Sequence, residues 1–79
     1  MTLAEAIAVI YRQVGAPDWA APNLDALADV LRDLSWLPTG PVPLDVPDLA
    51  ELDAIQLRAV LRQVAEETAN GSRPIRPSE

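Results

Sequence analysis

Two carboxylates four residues apart, Asp25 and Asp29, have the clearest chemical potential in this 79-residue chain. In a helix, residues at that spacing share one face, while Leu24, Leu27, Val30, Leu31 and Leu34 fall mostly on the other. Asn23 precedes them as a good N-cap, its side-chain oxygen able to accept an orphan backbone N–H. Such a helix presents fixed negative charge to a cationic partner. The bland alternative is a solvated face near a helix start, where the macrodipole favours anions. Trp19 lies in the preceding loop, between Pro17 and Pro22. An aromatic there suits capping the core as well as anchoring a contact. Acid–base catalysis by the carboxylates would need a pocket that shifts one of their pKa values, and so small a chain has little room for one.

Composition narrows the chemistry further. There is no histidine and no cysteine, which removes the commonest general base, the commonest metal ligand and any disulfide. No Gly-rich phosphate loop, Ser-His-Asp set or metal motif is present; no enzyme, cofactor or metal is expected. Twelve acids against six arginines leave a net charge of −6, which opposes nucleic-acid binding and favours a cationic partner. The lack of lysine beside many alanines reads as codon bias. The opening Met-Thr-Leu-Ala-Glu lacks the basic start and apolar run of a secretion signal. No apolar stretch nears the roughly 18 residues that span a bilayer. A cytoplasmic location without membrane contact is expected.

Three helices must position these groups. Thr2 and Glu5 read as a capping box opening a helix over about 3–14, with Leu3, Ile7, Ile10 and Val14 inward and Gly15 and Pro17 as the stop. The second helix runs from Leu24 to about Leu34 or Trp36, before Pro38 and Gly40. Trp36 reads as structural, ending the apolar face. Val42, Leu44 and Val46 alternate with polar or proline positions and predict a short edge strand. The third helix opens at a capping box, either Asp48 with Glu51 or Asp53 with Gln56, and runs to about Ala69 before Gly71. Leu57, Val60, Leu61 and Val64 form its apolar stripe. Arg58 and Arg62 lie on its exposed face, in reach of Asp53 or Glu66. Residues 1–71 then form one domain, and 72–79 a frayed, flexible tail.

The run Asn23-Leu24-Asp25-Ala26-Leu27, with Asp29 two residues later and a Pro-aromatic loop before it, resembles the core of the barstar family, small intracellular inhibitors of secreted ribonucleases. The resemblance covers roughly Leu3 to Gly71, in the family's order of elements. It implies that Asp29 enters a ribonuclease active site in place of an RNA phosphate, that Asp25 meets cations at the rim, and that Trp19 packs on the enzyme. It also aligns Glu66 with a family acid that contacts a basic residue.

The sequence departs from the family in three respects. The family has a strand before its first helix and an apolar C-terminal strand, for which Arg73-Pro74-Ile75-Arg76 is a poor substitute. Where the family's binding helix often carries a tryptophan, this chain has Ala28. A loop glycine that commonly precedes the motif is replaced by Ala20-Ala21-Pro22. The expected fold is therefore mostly α, with at most a small residual parallel β element: a barstar-like α/β fold lacking its first strand and its last. A lone strand is unstable, so a strand borrowed from a partner or second copy is one solution. The first functional reading is an immunity protein that blocks a small basic ribonuclease, through Asp29, Asp25, Trp19, Asn23, Ala28 and Glu66. The second is a non-inhibitory helical adaptor that forms a homodimer over the edge left by the missing sheet.

Overall fold

The computed structural model describes residues 1–78, in the order α1 (Leu3–Val14), α2 (Leu24–Asp33), β1 (Val42–Leu44), α3 (Glu51–Thr68) and β2 (Ile75–Pro77). Three helices accompany a two-stranded parallel sheet, so the fold is mostly α with a small β element.

The first helix opens as its sequence dictates. Thr2 Oγ1 accepts the Glu5 N–H at 3.1 Å, and the Glu5 carboxylate accepts the Thr2 N–H at 2.8 Å. Gly15 closes it at φ 63°, its N–H bonded to the last turn, in a left-handed conformation that glycine enters without a Cβ clash. The core stripe is Ala6, Ile7, Ile10, Tyr11 and Val14, with Leu3 packed at its margin.

In α2 the Asn23 side chain accepts the Ala26 N–H at 2.8 Å. The helix ends before Pro38 and Gly40 are reached, because Leu34 turns left-handed at φ 43°. That conformation costs a non-glycine residue roughly 1–2 kcal/mol. It is tolerated because the Leu34 side chain is fully buried, and burying a leucine contributes about 1.5–3 kcal/mol. Trp36 then returns to α1, its indole N–H donating to the Val14 carbonyl at 2.8 Å.

The third helix starts without either expected capping box. Its N-cap is Ala50, with no side-chain hydrogen bond. Glu51 and Asp53 lie in the first turn instead, where carboxylates favour the exposed N–H groups through charge alone. Leu57, Leu61 and Val64 are buried.

The C-terminal segment differs most from expectation. Rather than fraying, it forms β2, with Val42 opposite Ile75 and Leu44 opposite Pro77. Gly40, Val42 and Ser78 N–H groups bond to Ser72, Pro74 and Leu44 carbonyls, each at 2.8 Å. Ile75 is 2% exposed, and Arg73 Nε donates to the Leu37 carbonyl at 2.7 Å. The last strand is thus present, and one apolar residue anchors it. β1 stops at Leu44 rather than Val46, whose N–H turns to Ser78 Oγ at 2.9 Å.

Two short strands would ordinarily be marginal. Here the outward N–H positions of both edges are occupied or absent. Neighbouring residues of a strand point their backbone groups to opposite sides, so Pro43 and Asp45 face away from β2. Pro43 has no N–H. The Gln13 carboxamide takes both Asp45 groups, accepting its N–H at 2.7 Å and donating to its carbonyl at 2.8 Å. On β2, the Ile75 N–H donates to Thr68 Oγ1 at 3.1 Å and Pro77 has none. Among the described residues neither edge offers a free N–H to a borrowed strand, which disfavours strand addition there.

If residues 72–78 belong to the core, Ile75→Ala should destabilise the chain by about 2–4 kcal/mol in urea unfolding, as buried isoleucine truncations do. A change of only a few tenths would show that β2 contributes little.

Candidate partner-binding face

The rotation of α2 decides what it displays. Leu27, Ala28, Val30 and Leu31 are buried, which turns Asp25, Asp29 and Arg32 outward. Asp29 has its side chain 81% exposed. The two carboxylates stand on a ridge between two depressions. One is a cleft of about 410 Å3 between α2 and α3, lined in part by Ala28, Arg32, Val60 and Gln63. The other is shallower, with Leu3 and Ala4 on one side and Pro22 and Asn23 on the other. Small Ala28 lines the cleft at the position where the resembled family often has tryptophan.

Trp19 is 81% exposed, so it is a displayed residue and not a core cap. Its loop is held from beneath. Ala16 and Ala20 N–H groups bond to Tyr11 and Pro17 carbonyls at 2.9 and 3.0 Å. The Tyr11 hydroxyl donates to the Ala21 carbonyl at 2.7 Å. Burial, and secondarily the negative charge of Asp29, raise the Tyr11 pKa above its ordinary value. Asn23 contributes through its cap, as a positioning residue for the helix that carries Asp25 and Asp29.

The cleft is bridged by a charged network. Arg32 Nε and Nη2 donate to the two Glu67 carboxylate oxygens at 2.6 and 3.2 Å, and Nη1 approaches Asp29 Oδ1 at 3.4 Å. The Arg32 hydrogen bond holds Glu67 below the usual carboxylate range, and the same bond raises the guanidinium pKa. Because these groups lie at the surface, the network counts for geometry more than for stability.

Glu66 is placed elsewhere. It lines a separate groove between α3 and β2, beside Arg58, Arg62 and Arg76. Successive helical residues differ by about 100°, so Glu67 meets α2 while Glu66 turns away. Asp25, Asp29, Trp19, Asn23 and Ala28 belong to α2 and its entry loop; Glu66 does not line either depression beside them. Among the described residues, Arg58 and Arg62 form no salt bridge with Asp53 or Glu66. Sequence reasoning missed Tyr11, Arg32 and Glu67. Tyr11 could have been found four residues after Ile7 on the inward stripe, and Arg32 three after Asp29.

Among the described residues no His, Cys, Asp or Glu cluster suits a metal, and no helix is long and apolar enough to cross a membrane. Fold and face together are those of a small, mostly helical α/β module whose second helix packs into the core and turns an acidic face to solvent. Residues 1–77 match the family model described as "Barstar (barnase inhibitor)", and the chain belongs to the barstar family. Proteins of that family are non-enzymatic inhibitors, and membership implies a barnase-like ribonuclease as partner. Comparison with curated proteins and with solved structures gives no match.

Replacing Tyr11 by Phe should cost about 1 kcal/mol, the usual worth of one hydrogen bond, and loosen the loop that carries Trp19. A phenol whose pKa is raised on folding contributes stability that is complete below its unfolded value, near 10, and is lost as pH rises through the folded value. The wild-type chain should therefore lose stability at alkaline pH in step with tyrosinate absorbance, and Tyr11→Phe should not. Since Tyr11 is the only tyrosine, the titration reads this residue alone. Equal alkaline loss in both proteins would show that the phenol is not responsible.

Proposed function

We propose that the chain is a cytoplasmic immunity protein of bacterial type that inhibits a basic, barnase-like ribonuclease by occupying its active site. The observation that carries this reading is the display of Asp29 on a helix whose rotation the core fixes. A ribonuclease must line its active site with cations to hold phosphate. A carboxylate already held in place pairs with them in charge-assisted hydrogen bonds, with little side-chain ordering left to do on binding. Asp29 is the central anion, Asp25 its neighbour at the rim, and Trp19 the exposed apolar anchor. Asn23 fixes the start of the helix, and Ala28 leaves the cleft beside Asp29 open. Glu66 could meet the enzyme only if the contact wraps around α3.

A net charge of −6 would speed the approach of a basic enzyme and make the rate fall with salt. Family membership favours inhibition over the adaptor reading, and the lack of free N–H donors on the sheet edges makes strand pairing between copies less favourable.

The test is titration of a barnase-like ribonuclease with the wild-type chain and with Asp29→Ala. Expected are stoichiometric loss of ribonuclease activity and affinity that weakens with salt. Asp29→Ala should lose at least about 2 kcal/mol, the general threshold of a hot-spot residue. Unchanged binding by Asp29→Ala would move the site away from α2.

A further inference from the structure

We infer that Arg32 is a specificity-determining residue of the inhibitory face, selecting ribonucleases whose catalytic base is a carboxylate; the inference rests on the role given to Asp29 above. RNA cleavage needs cations to hold the phosphate and a base to take the proton of the attacking hydroxyl, and that base is a histidine or a carboxylate. An enzyme of the carboxylate kind therefore sets an anion beside its cations. The face of α2 carries the complementary pair, with Asp29 Oδ1 and Arg32 Nη1 at 3.4 Å one helical turn apart. When Asp29 meets the phosphate-binding cations, the guanidinium beside it meets the carboxylate base.

Glu67 fits this role as a positioning residue. An arginine loose in solvent would lose side-chain freedom on binding. This one is already held along its Nε–Nη2 edge by both Glu67 oxygens, at 2.6 and 3.2 Å, from a different helix. Its remaining Nη donors stay available, and the side chain is 41% exposed. Against a site built from two histidines, the same fixed cation would face cations and a neutral imidazole, with no anion to meet. Such a mismatch discriminates by repulsion and by stranding a charge, rather than by adding an attraction.

The experiment is a double-mutant cycle. Wild type, Arg32→Met and Glu67→Gln are measured against a barnase-like ribonuclease with a carboxylate base, and against the same enzyme with that base changed to its amide. A two-histidine ribonuclease serves as counter-probe, and circular dichroism confirms folding. Arg32→Met should weaken binding to the intact enzyme about tenfold, the scale of one charged hydrogen bond. The loss should shrink to within about twofold on the amide enzyme. Glu67→Gln should lose less, in the same pattern, and Arg32→Met should bind the two-histidine enzyme no worse than wild type. Equal losses on both forms of the enzyme, or none on either, would reduce Arg32 to a surface ion pair and overturn the inference. Failure of the wild-type chain to bind any of the enzymes would overturn the inhibitor reading, and this inference with it.

Discussion

The rotational setting of α2 is the constraint on which the rest depends. Leu27, Leu31 and Leu34 recur at helical spacing and are wholly or almost wholly buried, so the helix has one low-energy orientation between α1 and α3. A slip of one residue would turn the face by about 100°, sending Asp29 toward the core and exposing leucine. The display of the carboxylates is therefore a consequence of hydrophobic phase, and no polar contact on the exposed side is needed to hold it. Leu34 enforces the same setting from the other end. It leaves the helix in a left-handed conformation so that its side chain still reaches the core.

A chain this short has no apolar surface to waste, and polar side chains do work that further strands could do elsewhere. The Gln13 carboxamide pairs with Asp45 as a neighbouring backbone would. Thr68 receives the Ile75 N–H and donates to the Val64 carbonyl at 2.9 Å, so one hydroxyl joins the end of α3 to β2. Among the described residues no buried side-chain polar atom lacks a partner. This matters because a stranded polar group would cost a sizeable share of the few kcal/mol that a core of this size provides.

What was legible in the sequence was local. The Thr2–Glu5 capping box, Gly15 and the Asn23 cap act within three or four residues, and they set the two helices that flank Trp19 as read. The carboxylates could be placed because i,i+4 geometry needs no tertiary information. β2 was missed because its apolar content is a single isoleucine, and its stability lies in pairing with residues about 30 positions away. The start of α3 was misread because two acceptable capping boxes went unused in favour of Ala50. Glu66 and Glu67 show the same limit at the site. In sequence they are adjacent and equivalent, yet the packing of α3 on α2 gives Arg32 to Glu67 alone.

Charge serves two ranges on this molecule. The net charge acts on an approaching enzyme from outside contact, but ions screen it over about 8 Å at physiological ionic strength. It cannot distinguish one basic protein from another, since any cationic surface is attracted. Discrimination has to come from groups in direct contact, where water is excluded and an uncompensated charge is expensive. Arg32 is unfavourable to the long-range attraction because it cancels part of the negative field beside Asp29. In the proposed role its retention by Glu67 acts at short range, where a fixed cation next to a fixed anion turns a generally acidic face into a patterned one.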